Sequence, residues 1–339
     1  MDSNKVATAL SKILFVGIFI IIFSSGISFA QQAEIPFHLE PYSLNSGSYD
    51  GDQVAEEAAV LAYSQVVKVD KVPWLRLLFS NANLGNQSYL QLTSLKDGAQ
   101  QRLYAKQLTQ WRSSSVYFNG DAVRVDLYVA QGDKNVFVRM EEVMVGDWAM
   151  EPLIDSQCGP TDDRIPSNDP AAGRLMSIGC TSWIIGNGLM VSAGHCLDGS
   201  SGNVVEFNVP QSLPGGTVQH PPPEDQYSVD FSTKVFVNGG VGNDYGVFEV
   251  FDNSITGLQP INAQGAFFTV VQDLTPDSIR ITGYGVDNGS ANQTQQTHVG
   301  PNVGSSGTTM RYQTDTEGGN SGSPVIDEAT GFAVGVHTH

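Results

Sequence analysis

The chain has 339 residues, 40% of them hydrophobic, and contains 36 glycines and 16 prolines. This length suffices for two domains, and so much glycine and proline favours loop-rich β domains over helical bundles. The formal net charge of -18 argues against nucleic acid or an anionic membrane as a partner, because both bind basic patches.

The first 30 residues have the pattern of a secretory signal. Lys5 and Lys12 precede an apolar run over residues 13–23, and small residues such as Ser28 and Ala30 stand where a signal peptidase cuts. A membrane anchor is the alternative, but the run is shorter than the ~20 residues that a spanning helix needs. The pattern therefore predicts cleavage after Ala30, a secreted or periplasmic protein, and no membrane attachment after the signal is removed.

Residues 31–157 predict an N-terminal β-sandwich-like or jelly-roll domain. Residues 31–53 are polar and aperiodic, which indicates a linker or a loosely held arm. Short runs of β-branched and aromatic residues follow, separated by turn clusters, at 62–69, 74–79, 89–95, 123–129 and 135–145. No nucleophile, base and carboxylate come together there, so the region is either a pro-region or an accessory binding module.

A second all-β domain is predicted over residues 158–339. Residues 150–174 are rich in turn formers and charges, so we place the domain boundary there, and the same segment is a candidate for the proteolytic activation of a zymogen. Strand-like runs resume at 174–178, 181–185, 189–192, 227–237, 245–251, 267–272, 278–284 and 332–337.

His195 stands directly after one of these strands and beside Cys196. The three cysteines of an exported chain permit one disulfide and leave one thiol without a partner. A bond between Cys180 and Cys196 would tie the loop of the histidine to the preceding strand and would restrain a general base. No run of cysteines and histidines has metal-ligand spacing, so neither a structural metal nor a cofactor is predicted.

A carboxylate and a nucleophile for this histidine follow downstream. Asp244 begins an otherwise apolar strand, where a partly buried carboxylate needs a partner such as His195; an ordinary turn aspartate is the alternative. Ser321 lies among three glycines, in a turn that can expose its hydroxyl and aim backbone amides one way; a plain Gly-Ser loop is the alternative. The order His, Asp, Ser excludes the α/β-hydrolases and the subtilisin type.

Four segments resemble the chymotrypsin-like serine proteases, and in particular the bacterial glutamyl-endopeptidase branch: residues 180–185, 192–196, 243–247 and 315–324. The resemblance covers roughly residues 158–339 and implies two six-stranded β-barrels with the active site between them. It implies an endopeptidase acting on proteins or peptides, with Ser321 as nucleophile, His195 as general base and acid, and Asp244 orienting the imidazole. The amides of Gly319 and Ser321 would form the oxyanion hole.

Two specificity signals conflict within this resemblance. Thr316 and His337 match positions that contact an acidic side chain in the glutamyl branch, and both can donate a hydrogen bond to a carboxylate. Asp315 stands where the trypsin type carries the carboxylate that selects Lys or Arg. We favour Glu, or Asp, before the scissile bond and keep the Lys/Arg specificity set by Asp315 as the alternative.

The chain stops at His339, whereas members of the family continue with pocket glycines and a closing helix, so the second domain is expected to be truncated at its C-terminus. Cys158 would then have lost its partner with the missing tail. The competing hypothesis is a catalytically silent, exported binding protein on a protease scaffold. The complete set of His195, Asp244, Ser321 and Gly319 favours the enzyme.

Overall fold

The computed structural model describes residues 33, 35–53, 58–149, 157–199, 202–272 and 274–339. The predicted signal over residues 1–30 and the first part of the predicted domain boundary lie outside these residues. Strands dominate the described part, and its two α-helices, α1 (Ala105–Gln110) and α2 (Pro260–Gln264), have only 6 and 5 residues. The all-β prediction is therefore confirmed. None of the helices in the described ranges is long and apolar enough to cross a membrane.

The first region, residues 33–149, folds into two antiparallel sheets. Its strands are β1 Phe37–Asn45, β2 Val60–Lys68, β3 Trp74–Leu78, β4 Asn81–Asn83, β5 Tyr89–Ser94, β6 Gln100–Leu103, β7 Phe118–Asn119, β8 Ala122–Val129 and β9 Phe137–Gly146. One sheet has the order β1-β9-β3-β7, with β4 also on β9, and the other has the order β2-β8-β5-β6. One hydrophobic core joins them, with Leu75 and Val143 from the first sheet and Leu92 and Val125 from the second. Two sheets that share one core are the arrangement of a β-sandwich, so the structure is consistent with the predicted sandwich-like domain.

The interpretation of residues 31–53 as a loose arm is wrong for β1. This strand pairs antiparallel with β9, from Phe37 opposite Gly146 to Asn45 opposite Arg139. Most of its side chains are exposed, so no apolar alternation marks the strand in the sequence. Main-chain hydrogen bonds hold it at the sheet edge, where a proline such as Pro41 is tolerated.

The second region, residues 157–339, contains one closed barrel and one further sheet. Its strands are β10 Ile165–Pro166, β11 Ala172–Met176, β12 Cys180–Ile184, β13 Met190–Ser192, β14 Val204–Glu206, β15 Gln226–Asn238, β16 Asp244–Val250, β17 Ser278–Gly283, β18 Gln296–Ser306, β19 Thr309–Tyr312, β20 Pro324–Asp327 and β21 Ala333–Val336. The barrel has the order β11-β12-β13-β16-β15-β14. The second unit is a six-stranded sheet of order β10-β18-β17-β20-β21, with β19 on β18, and among the described residues it is not closed. Two six-stranded units agree with the predicted chymotrypsin-like class.

Strand β12 of the barrel holds the turn that leads into β20 of the second sheet. The amide of Thr181 donates to the carbonyl of Ser321 (2.9 Å), and its hydroxyl donates to the carbonyl of Gly319 (2.9 Å). The indole of Trp183 donates to the carbonyl of Gly322 (3.0 Å). Because His195 and Asp244 belong to the barrel and Ser321 to this turn, the predicted catalytic residues meet where the two units join.

Candidate active site

The barrel brings His195 and Asp244 together. His195 lies in a 3-10 turn, Gly194–Leu197, directly after β13, and Asp244 is the first residue of the neighbouring strand β16. Because β13 and β16 are antiparallel, the end of one lies beside the start of the other. Nδ1 of His195 is 2.6 Å from Oδ2 of Asp244, and the backbone amide of His195 donates to Oδ1 (2.8 Å).

These two hydrogen bonds favour the charged form of Asp244 and determine which ring nitrogen of His195 carries the hydrogen. Both side chains are almost fully buried. Burial alone would raise the pKa of Asp244, but the hydrogen bonds from His195 hold it below its ordinary value. A charged carboxylate accepts a hydrogen bond from Nδ1–H, so the neutral ring keeps its hydrogen on Nδ1 and its lone pair on Nε2. Nε2 is buried and has no hydrogen-bond partner in the described part of the chain. The ring is therefore oriented as a proton acceptor.

Two features of the local sequence fix the histidine turn. A Cβ atom at Gly194 would collide with the carbonyl oxygen of Val237, so only glycine allows the turn to lie against β15. The predicted disulfide between Cys180 and Cys196 is present, with a Cα–Cα distance of 6.3 Å, and it ties the turn to β12. Cys158 is the exposed free cysteine.

Ser321 lies beside this pair but is not hydrogen bonded to the imidazole. The Sγ atom of Cys196, next to His195, is 3.8 Å from the carbonyl oxygen of Ser321. The hydroxyl of Ser321 donates to the carbonyl of Thr338 (3.4 Å), while Nε2 of His195 accepts no hydrogen bond from the described residues. The structure thus forms the Asp–His half of the predicted triad and leaves the His–Ser half open.

The turn around Ser321 depends on its glycines. Gly319 has a φ of +102°, and a Cβ atom there would collide with the carbonyl of Tyr284. Gly322 has a φ of +92°, and a Cβ atom there would collide with the carbonyl of Thr181. L-residues rarely adopt such φ values, so the glycines are needed for this backbone. The predicted oxyanion donors, the amides of Gly319 and Ser321, belong to this turn.

His337 and Thr316, the predicted contacts for an acidic side chain, are buried near the same turn. The backbone of His337 donates to the carbonyl of Ser323 (2.9 Å) and accepts from the amide of Gly322 (2.7 Å). Its Nδ1 is 2.7 Å from the hydroxyl of Tyr312, and its Nε2 is buried without a hydrogen-bond partner among the described residues. Burial lowers the pKa of His337 to about 4, so its ring is neutral near pH 7.

The contacts of Asp315 differ from those that the Lys/Arg specificity would require. Its carboxylate accepts the backbone amides of Cys158 and Asp163, each at 2.7 Å, and its own amide donates to Nδ1 of His298 (2.7 Å). The side chain is almost fully buried. A carboxylate whose two oxygens already bind the main chain is a poor receptor for a Lys or Arg side chain. The geometry therefore disfavours the role of Asp315 in specificity and gives it one in holding residues 158–163.

Two groups of side chains in the described part have the proximity that a metal site requires. One consists of Cys180, Cys196 and His195, but its two sulfur atoms are bonded to each other. The other consists of Asp163, His298 and Asp315, where Asp315 and the Nδ1 of His298 already bind backbone amides. Neither group offers a free set of ligands, and the absence of a metal stays a prediction.

Sequence interpretation missed Arg164, whose side chain is 2% exposed and pairs with Asp162. Its guanidinium donates to the carbonyl of Val286 (2.9 Å), and the amide of Val286 donates to the carbonyl of Gly318 (2.8 Å). This carbonyl and the amide of Gly319 belong to one planar peptide, so fixing the first orients the second. Only the Asp-x-Arg pattern in a turn-rich segment could have indicated this role.

Comparisons with known proteins concern the second region. Residues 180–336 match the family of the trypsin-like peptidase domain. A glutamyl endopeptidase of Bacillus licheniformis is 32% identical over 164 residues, which are 45% of this chain and 47% of that protein. The chain thus spans about half the length of the curated relative that it matches.

Two solved structures are similar at lower identity. A Glu endopeptidase is 21% identical with a TM-score of 0.39, over 52% of this chain and 85% of that one. A thermostable serine protease from an extremophilic microorganism is 17% identical with a TM-score of 0.39, over 50% and 83% of the two chains.

The family match and the curated relative support the class of serine proteases for the second region. More specifically, residues 180–336 match the trypsin-like peptidase domain and are similar in sequence to a glutamyl endopeptidase, in agreement with the predicted chymotrypsin-like class. The resemblance that the motifs predict is therefore confirmed.

Proposed function

We propose that the protein is an exported serine endopeptidase that acts through His195, Asp244 and Ser321. The observation that carries the proposal is the buried pair of His195 and Asp244, which leaves Nε2 of the imidazole as an acceptor without a partner in the described residues. A buried acceptor without a donor is costly, and a serine hydroxyl on the adjoining turn supplies the donor that the site lacks.

In the proposed reaction, Oγ of Ser321 attacks the scissile carbonyl carbon while its proton moves to Nε2 of His195. For this, the hydroxyl gives up its hydrogen bond to the carbonyl of Thr338. The electron pair of the carbonyl moves to its oxygen, where the amides of Gly319 and Ser321 stabilise the charge. The C–N bond then breaks, and the imidazolium gives its proton to the leaving amine. Water repeats the sequence on the acyl-enzyme, releases the acid and restores Ser321.

The proposal includes a preference for Glu, or Asp, before the scissile bond, received by His337 and Thr316. Tyr312 supports this preference. Tyr312 is half-buried, and the acceptor that its hydroxyl has among the described residues is Nδ1 of His337. If the phenol donates to Nδ1, the neutral ring carries its hydrogen on Nε2. Nε2–H is then a buried donor without a partner, and a glutamate carboxylate satisfies it.

Two further observations support this specificity. Both carboxylate oxygens of Asp315 are occupied by backbone amides, which weakens the Lys/Arg alternative. The Bacillus licheniformis relative is named a glutamyl endopeptidase, and it matches this chain over 164 residues. Export rests on the signal-like pattern of residues 1–30.

Labelling with a fluorophosphonate probe tests the catalytic proposal, because such probes react with an activated serine. We expect the full-length protein to be labelled, and Ser321→Ala to lose the label completely. Ser305→Ala, which changes an exposed serine in β18, is the matched control and keeps the label. If the folded wild type is not labelled, the competing hypothesis of a silent binding protein is favoured, since the hydroxyl would stay with Thr338.

A further inference from the structure

The first and second regions share a specific interface. The amide of Tyr117 donates to Oε1 of Gln226, and Nε2 of Gln226 donates to the carbonyl of Tyr117, both at 2.9 Å. Two residues along, Nδ2 of Asn119 donates to the carbonyl of His220 (2.8 Å), and the amide of His220 donates to Oδ1 of Asn119 (2.9 Å). In each pair, the amide side chain of one residue binds both the N–H and the C=O group of the other residue's backbone. Separation of the regions would leave these groups without their partners.

Aromatic residues of the first region also cover a buried charge cluster of the barrel. Glu206 accepts from Arg174 (2.7 Å) and from Nδ1 of His220 (2.8 Å), and all three side chains are fully buried. The ring of Tyr117 stacks on His220 with centroids 4.7 Å apart, and Trp74 meets the same ring edge-on at 5.1 Å. These two rings of the first region therefore pack directly on His220, a member of the buried cluster.

The hydrophobic core of the first region continues into the second. Met176, Val204 and Val218 are buried members of the same core cluster as Trp74 and Val123. A region that leaves after processing would expose this apolar surface on both fragments, and such patches are rare on soluble proteins.

Most of the interface lies away from the candidate active site. The exception is Ala33, whose carbonyl packs against Gly179, next to Gly319 of the turn that carries Ser321. In the closed order β11-β12-β13-β16-β15-β14, the adjacent strands β11 and β14 carry Arg174 and Glu206. The strands β13 and β16, which position His195 and Asp244, are on the opposite side of the barrel. The reciprocal hydrogen bonds of Asn119 and Gln226 therefore lie on a different face of the barrel from His195 and Asp244.

We propose that residues 33–149 are a permanent partner of the peptidase domain, bound to the β11–β14–β15 face of its barrel, and not a pro-segment that departs after cleavage. A cut between the regions would leave two chains that behave as one folded unit. The inference goes beyond the proposed function, because it holds whether or not the domain cleaves peptides.

The test uses the full chain with the recognition sequence of a highly specific protease inserted between residues 150 and 157. After complete cleavage, size-exclusion chromatography under native conditions shows whether the fragments migrate together. We expect co-migration at micromolar concentration. Separation of the wild-type fragments, with residues 157–339 remaining folded by circular dichroism, overturns the proposal.

Variants locate the interface without relying on catalytic activity. In the same cleavable chain, Asn119→Ala and Gln226→Ala each remove one reciprocal pair, so we expect the fragments to associate at least roughly tenfold more weakly. Before the cut, both variants stay folded, because the intact chain keeps the regions together. Asn86→Ala, an exposed asparagine of the first region, is the matched control and leaves association unchanged. Equal association in all variants contradicts this interface.

Discussion

Tyr312 and His337 are joined by a hydrogen bond of 2.7 Å between the phenol oxygen and Nδ1 of the ring. Tyr312 ends β19, and His337 follows β21, so two strands of the second sheet meet at this bond. Burial keeps the imidazole neutral near pH 7 and leaves Nε2 without a partner among the described residues. The proposed acidic specificity depends on which nitrogen of this ring carries the hydrogen.

Tyr312→Phe tests that dependence. Without the phenol the ring can take either tautomer, so we expect kcat/KM for a Glu peptide to fall about tenfold, mainly through KM, while kcat changes little. Nitrogen NMR of labelled histidine is expected to show the Nε2–H tautomer in the wild type and a mixture in the variant. Tyr42→Phe, which also loses one hydrogen bond, is the control. An Nδ1–H tautomer in the wild type contradicts the proposed role of Tyr312.

Asp315→Asn distinguishes a structural carboxylate from a specificity residue. Asparagine keeps one acceptor oxygen, so either Cys158 or Asp163 loses the acceptor of its backbone amide. We expect the free energy of unfolding in urea to fall by about 1–3 kcal/mol. The ratio of kcat/KM for Glu and Arg peptides is expected to stay unchanged. Asp277→Asn, at an exposed position, is the control, and a selective loss of Arg cleavage in Asp315→Asn would restore the Lys/Arg hypothesis.

Asp244→Asn tests the orientation of His195, the proposed general base. The amide nitrogen of asparagine cannot accept from Nδ1, so the ring turns or takes the tautomer whose Nε2 no longer accepts the serine proton. We expect kcat to fall by roughly 10⁴-fold with the fold retained. Steady-state kinetics with a fluorogenic Glu peptide measure the loss. A loss smaller than about tenfold would show that Asp244 does not orient a catalytic base.

Stability is expected to depend on pH through His337. Its pKa is about 4 in the folded protein and about 6.5 when unfolded, so between these values only the unfolded chain binds the proton. The contribution of this group to stability is therefore complete above about pH 6.5 and is lost as the pH decreases towards 4, by about 3 kcal/mol. Glutamine in His337→Gln does not titrate. Denaturation curves should therefore show a smaller decrease in the free energy of unfolding between pH 6.5 and 4. Equal losses in both proteins would contradict the burial of a neutral ring.

The catalytic segments could be predicted because each combines the end of a strand with a residue type that its surroundings require. Gly194 and Gly319 are required by the space around them, and Asp244 begins an apolar strand, so local sequence carried this information. Sequence also predicted most strands of the barrel to within a few residues. It failed at residues 267–272, where Phe268 and Val270 make only isolated bridges and Val270 is exposed.

The sequence did not predict contacts between residues that are far apart in the chain. Asp315 looked like a specificity carboxylate because its separation from Ser321 was visible, whereas its contacts with Cys158 and Asp163 are far away in sequence. The long strand β18 was missed because Gly300, Pro301 and Gly304 interrupt its pattern, and β20 because a proline begins it. The partners of Tyr312 and Arg164 likewise become known only when the sheets are assembled.

The most direct test of the proposed function is the identification of bonds that the protein cuts. An unfolded protein of known sequence is incubated with wild type and with Ser321→Ala, and the new termini are determined by mass spectrometry. We predict cuts after Glu, with fewer after Asp, in the wild type and none with Ser321→Ala. Cuts mainly after Lys or Arg would contradict the specificity, and identical cuts with the Ser321→Ala protein would contradict the catalytic role of Ser321.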